Sequence, residues 1–406
     1  MFLGLHAAVR RLRASSRADI DLDRSLSSFV FRVGRYVSDH GVLGAIRSLG
    51  SLGIRVHASA CGRRSPADWS RYLTQRVPFP ATADPGSLVR AFHATAAHLP
   101  DAQVLVVPTD DLAAIFINEH GDQLPRQFIT VTPRRGVAKL LVDKHRCAQA
   151  LAECGVPAPP GHVVKGPVGP DDVASIELPV VLKRLARSVD AAGEWSASTL
   201  VVRTPKELTA AIEQIDADRA HVLVQPYLEG RDWLYHAYFD HDARPVFAHT
   251  AHKIVSDGNG GATALAMTRG NDDVRGLLPR FAARLAYSGP MSADIRETRD
   301  GQLFVLDVNP RLGACFRLFT AVGGLDVLRA GHLHGSGRPI PAHNVPDGRR
   351  YLVEGAAPPT QFDGVRRQAT ATSIERAWWD PGDPLPDLFR KVIGLRTRST
   401  ALFRGR

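Results

Sequence analysis

Positions 307 to 311 read Asp307-Val308-Asn309-Pro310-Arg311, two oxygen donors and a guanidinium spaced two residues apart. In an extended strand alternate side chains share a face, so Asp307, Asn309 and Arg311 point the same way. The preceding Leu303-Phe304-Val305-Leu306 is apolar and β-prone, and Asp300-Gly301 reads as a two-residue hairpin turn. Counting back across that turn places Asp294 opposite Asp307. Two carboxylates facing each other on one strand pair repel, and a cation between them removes the conflict. Carboxylate and amide oxygens suit a hard ion. Magnesium takes one or two carboxylates and completes its shell with water and nucleotide phosphate, so Asp294, Asp307 and Asn309 are the candidate ligands. Solvated strand carboxylates with Arg311 as a surface partner are the plainer alternative, and a one-residue slip in the loop would undo the pairing.

Other elements must bring phosphate-binding groups to this strand. A helix from about Asp143 to Glu153 begins with Asp143-Lys144 and stops at Cys154-Gly155, before Pro157, Pro159 and Pro160. The strand Leu178 to Lys183 delivers a second lysine at its end. Then come a loop through Ala191-Ala192-Gly193, a strand Thr199 to Val202, and a helix opened by the capping box Thr204-Pro205-Lys206-Glu207. The strand His221 to Leu228 closes a small α+β module. Upstream, residues 28–118 alternate strand (29–33, 54–56, 104–107) and helix (41–52, 85–98, 111–119), the pattern of a parallel sheet covered by helices. Its first turn, Ser38 to Gly44, lacks a full dinucleotide fingerprint. Residues 231–335 are strand-rich with glycine-dense connections such as Asp257 to Gly261. No internal repeat is visible.

The bulk properties narrow the field. With 406 residues the chain exceeds one growing core, so two or three subdomains are expected, and 44% apolar residues can fill them. No uninterrupted apolar run of membrane-spanning length occurs. The opening Met1 to Arg11 places its charges after the apolar patch, the wrong order for a secretory signal, and residues 1–27 read as a basic arm. Cys61, Cys147, Cys154 and Cys315 form no zinc pattern, which suits a reducing cytoplasm. The net charge of +10 is scattered, only seven of the basic residues are lysine, and no basic stripe interleaves with aromatics. Nucleic acid is therefore not an expected partner, nor is a membrane.

Taken in order, Asp143-Lys144, Lys183, the connection Gln225-Pro226-Tyr227-Leu228-Glu229-Gly230, Asp294 and Asp307-x-Asn309-x-Arg311 resemble the ATP-grasp superfamily, most of all its carboxylate-amine ligase branch. The resemblance covers about residues 28–325. It implies an α/β and α+β architecture. The parts are an N-terminal parallel-sheet domain over 28–135, an ATP-grasp N-terminal part with a small α+β lid over 136–230, and an antiparallel-sheet catalytic domain over 231–335. Residues 336–406 are a C-terminal extension. By position, Lys144 and Lys183 inherit contacts to nucleotide phosphates, a role that suits a flexible ammonium. Gln225, Tyr227 and Leu228 fall on the hinge whose backbone reads adenine, Asp232 falls where a ribose-binding acid is usual, and Lys253 is within reach of the γ-phosphate. Tyr227 as a core residue and Asp232 as a turn residue are an equal alternative. The chain departs from the family in having Asp294 and Asp307 where glutamate is usual. Its lid loop, 184–193, has one glycine where relatives often have several, and Arg184, Arg187 or Ser188 are candidate substitutes for backbone amides.

The implied reaction uses ATP and Mg2+ to join a small-molecule carboxylate to an amine. An acylphosphate forms with release of ADP, and Arg311 is the candidate catalytic group that holds the substrate carboxylate or the acylphosphate charge. A homodimer is compatible with the sequence. A bicarbonate-using carboxylase of the same superfamily and an ATP-binding regulatory module whose catalysis has decayed are the rival readings.

Overall fold

A computed structural model describes residues 20–33, 39–61, 64–165, 177–185, 199–217, 221–256, 261–356 and 374–392. The arm up to residue 19, most of the lid loop including Arg187 and Ser188, and Asp257 to Gly260 lie outside them. The packed chain begins before the expected start of the first domain, because Leu22 and Leu26 are already buried.

The first sheet contains β1 (Leu26–Phe31), β2 (Val56–Ala60), β3 (Gln75–Pro78), β4 (Gln103–Pro108) and β5 (Phe128–Ile129). All are parallel, in the order β3-β2-β1-β4-β5. The helices α1 (His40–Gly50), α2 (Pro85–Ala96) and α3 (Asp111–His120) each start where an aspartate caps the first turn. Asp39 accepts from the Val42 amide, Asp84 from Ser87 and Asp110 from Ala113. Strands β1 and β4 are buried on both faces apart from Gln103, and apart from Ser27, Ser28 and Gln103 their residues are apolar. Phe29, Phe31, Phe92 and Phe116 pack on one side, and Val30, Leu43, Ile46 and Leu105 on the other. The short β3 and β5 escaped the sequence reading, since Gln75-Arg76-Val77-Pro78 carries too little apolar signal and ends in proline.

Helices α4 (Val137–Val142) and α5 (Lys144–Glu153) lead to a four-stranded antiparallel lid of β6 (His162–Lys165), β7 (Val180–Arg184), β8 (Thr199–Val202) and β9 (His221–Pro226). Helix α6 (Pro205–Ala217) packs on it. The lid has its own small core of Val164, Val180, Leu182, Val202, Ala211, Val222 and Val224. Strand β6 went unread behind its three prolines.

The third sheet has seven strands. Five of them are β10 (Gly230–Phe239), β11 (Pro245–Ser256), β12 (Thr263–Thr268), β13 (Gly289–Thr298) and β14 (Leu303–Asn309). They pair antiparallel, and the expected C-terminal extension adds β15 (Arg350–Leu352) and β16 (Ile374–Arg376). The β15–β16 pair is parallel, so the sheet is mixed rather than purely antiparallel. One face of β10 and β13 packs on α4 and α5 together with α7 (Asp272–Gly276) and α8 (Pro279–Arg284). On the other face Leu234, Tyr238 and Phe247 share a core with Leu26, Val30 and Leu43 of the N-terminal domain, with α9 (Val327–Gly335), and with Trp378. Trp378 is thus a core residue, and it is held by Arg47, whose guanidinium is buried against Asp383 at 2.9 Å and donates to the Ala377 and Trp378 carbonyls.

The β13–β14 hairpin reaches the expected register by another route. Its loop has three residues, Arg299 to Gly301, closed by Thr298 N donating to Gln302 O and by Gly301 at φ +83°. That choice shifts the ladder by one, pairing Glu297 with Leu303 and Ile295 with Val305. A bulge at Leu306 then shifts it back, so Asp294 does face Asp307.

Candidate active site

Between the lid and the third sheet, beside the start of α5, a cleft of about 1170 Å³ opens. Lys144, Lys183, Gln225, Tyr227, Leu228, Asp232, Lys253, Asp294, Asp307, Asn309 and Arg311 all line it. The sheet alternation explains the convergence. Asp232 on β10 pairs with Lys253 on β11 and Arg296 on β13, and the next row of the same face holds Asp294 and Asp307.

The facing aspartates are neutralised by two lysines. Lys253 Nζ lies 2.6 Å from Asp294 Oδ1, and Lys144 Nζ lies 2.7 Å from Asp307 Oδ1. This corrects the sequence argument, because ammonium groups from other elements already remove the repulsion and the paired carboxylates alone do not demand a metal. Lys144 gets there because Asp143 caps α5, accepting from the His145 and Arg146 amides at 3.1 and 3.0 Å, which aims the first helical residue at the cleft. Lys183 is buried and donates to the carbonyl of the bulged Leu306 at 2.7 Å.

Burial lowers the Lys183 pKa to about 8; Lys144 pushes the same way, and Asp307 and Asp294 oppose it. Burial also penalises the Lys253 charge, but the ion pair with Asp294 outweighs it and holds this lysine above its ordinary value. The Cys147 thiol, one turn beyond Lys144, is pushed up to about 12 by burial and the Asp307 charge, which disqualifies it as a nucleophile.

The hinge is held by a residue that the sequence reading passed over. Arg296 Nε donates to Asp232 Oδ1 at 2.7 Å, its NH1 group donates to the Leu228 carbonyl, and its guanidinium lies 5.4 Å from the centre of the Tyr227 ring. Arg203 covers the same ring at 5.0 Å. The Tyr227 amide donates to Pro179 O and the Gln225 side chain to Pro159 O, so both fasten the lid's end. Arg296 stands two residues beyond Asp294, and strand alternation alone could have placed it on the cleft face.

Arg311 Nε donates to Asp111 Oδ1 at 2.6 Å, and its NH2 group reaches Asn309 Oδ1 at 3.3 Å. Asp111 opens α3 beside Asp110, whose carboxylate accepts from Ala113 and Val33 amides. In sequence both look like helix caps, so nothing marked Asp111 as a site residue. It lies at the end of β4, next to β1, where the strand order of the parallel sheet reverses and such sheets open a crevice. The chain turns at Gly313 against His236, where a Cβ would overlap the imidazole and sit 2.9 Å from Ser292 Cβ. Burial pushes the His236 pKa down to about 3, so this ring stays neutral.

Among the described residues no three His, Cys, Asp or Glu side chains form a metal cluster. Two aspartates and an asparagine amide fit magnesium, which takes its other ligands from phosphate and water, and do not fit a structural transition metal.

No family model and no curated protein matches the chain by sequence. Solved structures do match. An ADP complex of N5-carboxyaminoimidazole ribonucleotide synthetase aligns at TM-score 0.60 and 12% identity, over 82% of this chain and 81% of that one. The biotin carboxylase domain of 2-oxoglutarate carboxylase from Hydrogenobacter thermophilus, solved as a dimer with MgADP, ADP and bicarbonate, aligns at 0.58 and 16%, over 81% and 73%. An L-amino acid ligase from Bacillus licheniformis aligns at 0.54 and 14%, over 79% of each chain. Two of these neighbours were solved with ADP, and all three share one fold. The chain has their fold, the ATP-grasp fold. No helix among the described residues is long and apolar enough to cross a membrane.

Proposed function

We propose that this protein is an ATP-dependent ligase that joins a carboxylate to an amine through an acylphosphate and releases ADP and phosphate. One observation carries the reading: Lys144 from α5, Lys183 from the lid, and Lys253, Asp294, Asp307, Asn309 and Arg311 from the third sheet converge on one cleft. Tyr227, Leu228 and Asp232, held by Arg296, provide the adenosine end.

Lys144 and Lys183 rest on Asp307 and on the Leu306 carbonyl. Triphosphate oxygens would draw both ammonium groups away and free the carboxylates. Asp294, Asp307 and Asn309 would then hold Mg2+, which supplies charge neutralisation at the phosphates. Arg311, at the side nearest the N-terminal domain, would orient the substrate carboxylate. A carboxylate oxygen bonds to the γ-phosphorus as the bridging bond to ADP breaks. The amine then bonds to the acyl carbon, phosphate leaves, and the amine gives up a proton. The residues contribute positioning and charge, the main sources of rate in phosphoryl transfer.

The test is interception of the acylphosphate. With ATP, Mg2+, hydroxylamine and a panel of amino acids and small acids, a productive acid should yield a hydroxamate with ADP and phosphate. AMP and pyrophosphate as products would refute the mechanism. Turnover that requires bicarbonate would favour a carboxylase, and ATP binding with no acid-stimulated ADP release would favour a regulatory module.

A further inference from the structure

At the end of β10 away from the catalytic cleft, an open-sided cavity of about 750 Å³ is lined by His241 and His334, among others. Asp232 of the cleft stands nine positions before His241 (241 minus 232), about 30 Å along an extended chain. The two imidazole rings lie 4.4 Å apart, centre to centre, with their planes at 46°. Each is tied at Nδ1 to a hydroxyl: His334 meets Tyr238 Oη at 3.1 Å, and His241 meets Ser288 Oγ at 3.4 Å. Either oxygen can accept from an Nδ1–H, and that tautomer leaves the lone pair on Nε2. An oxygen partner on one ring nitrogen is what orients a metal-ligating histidine to coordinate through the other.

Both rings stand on backbone that is fixed without them. His241 sits in the β10–β11 turn, where Asp240 N donates to Arg244 O and Asp240 Oδ1 accepts from the Asp242 and Arg244 amides. His334 lies in the last turn of α9, whose Gly331 packs so closely on Tyr238 that a Cβ would come within 2.7 Å of the ring. The acids beside the rings have other work: Asp240 closes the turn, and Asp242 pairs with Arg244 at 3.0 Å. Imidazole nitrogen is therefore the donor that defines the site. Two imidazoles bound cis to one ion through nitrogens at about 2.1 Å bring their ring centres to roughly 4.5–5 Å, close to the spacing here. We propose that His241 and His334 bind a divalent transition ion of the zinc, nickel and copper kind, which imidazole suits and for which magnesium is a poor substitute. Two protein ligands make an open site, unlike the closed four-ligand set of structural zinc, so water would fill the remaining positions. The ion would clamp α9 to the β10–β11 turn. This goes beyond the proposed reaction and does not depend on it.

The experiment is calorimetric titration of the untagged full chain with nickel, zinc or magnesium chloride at neutral pH. Nickel and zinc should each bind at one site per chain, about tenfold or more tighter than magnesium. His241→Ala and His334→Ala should each weaken that binding by about tenfold or more while keeping the wild-type circular dichroism spectrum. Tyr238→Phe, which removes only the hydroxyl behind His334, should also weaken it, by about tenfold. Asp307→Asn should leave nickel and zinc binding as in wild type, because the cleft is not involved. A His241→Ala, His334→Ala double variant that binds nickel and zinc like wild type would overturn the proposal. So would binding that is lost in Asp307→Asn, because the ion would then sit in the cleft.

Discussion

Asparagine at position 307 keeps the shape of the aspartate and removes its charge, and the structure decides what that does to stability. Viewed as two repelling carboxylates, Asp294 and Asp307 should gain from losing one charge, by about 0.2–1 kcal/mol for a cross-strand pair. But Asp307 holds Lys144 at 2.7 Å, with side-chain exposures of 23% and 8%. Exposed ion pairs contribute about 0–1 kcal/mol, and breaking a buried one costs about 3–5. An intermediate pair should lose about 2 kcal/mol. Subtracting the relieved repulsion leaves Asp307→Asn about 1–2 kcal/mol less stable, a melting temperature lower by roughly 2–5 °C. The measurement is thermal unfolding at pH 7 with EDTA and no nucleotide. Lys144→Met combined with Asp307→Asn should be less destabilised than the two changes summed, by about 1 kcal/mol. An Asp307→Asn protein as stable as wild type would refute the pairing argument. Wild-type magnesium-dependent turnover in that variant would remove Asp307 from the metal site.

Three further outcomes are expected. Between pH 8 and 10.5 the folded protein has shed a Lys183 proton that the unfolded chain retains, so this residue's contribution to stability should rise with pH in that window. ATP affinity should move the other way, weakening above about pH 8, and Lys183→Arg should flatten that profile in a titration. Arg296→Leu frees the Leu228 carbonyl and Asp232 together and should raise KM for ATP about tenfold with little change in kcat, while Arg296→Lys recovers part of it. Gly313→Ala forces a methyl into His236 and Ser292 and should cost about 2–3 kcal/mol in urea unfolding, with lower kcat because Arg311 is displaced.

How much was legible in the sequence varied with the kind of signal. Long periodic elements were: α1, α5 and α6, and the buried β4, all stand within a few residues of where hydrophobic spacing and caps put them. The Asp294–Asp307 pairing was legible in outcome but not in cause. A three-residue loop and the bulge at Leu306 each shift the ladder by one, and neither has a strong local signature. Short edge strands such as β3 were lost because their ladders, not their side chains, define them. Asp111 was hidden because the same residue type at the same position serves as an ordinary helix cap. Residues in the cleft could be nominated one by one, but the pairings Lys144–Asp307 and Lys253–Asp294 join elements 163 and 41 residues apart (307 minus 144; 294 minus 253), and only tertiary geometry can supply them.

The division of the hydrophobic cores has a mechanical meaning. The N-terminal sheet, the third sheet and the C-terminal strands bury side chains into one continuous interior, sealed by the Arg47–Asp383 clasp. They can separate only by wetting it, so together they behave as a fixed anvil. The lid keeps its small interior to itself, and among the described residues it is tethered to the anvil by polar links such as Lys183 to Leu306 and Arg296 to Leu228. These are groups that nucleotide would engage. Filling the cleft would therefore exchange the lid's latches for bonds to the ligand, and the jaw would be sprung by the same molecule it closes on. Amide hydrogen exchange should register this as faster exchange over the lid segments 177–185, 199–217 and 221–226 than over the third sheet, slowed on ATP binding, with the third sheet slow and unresponsive.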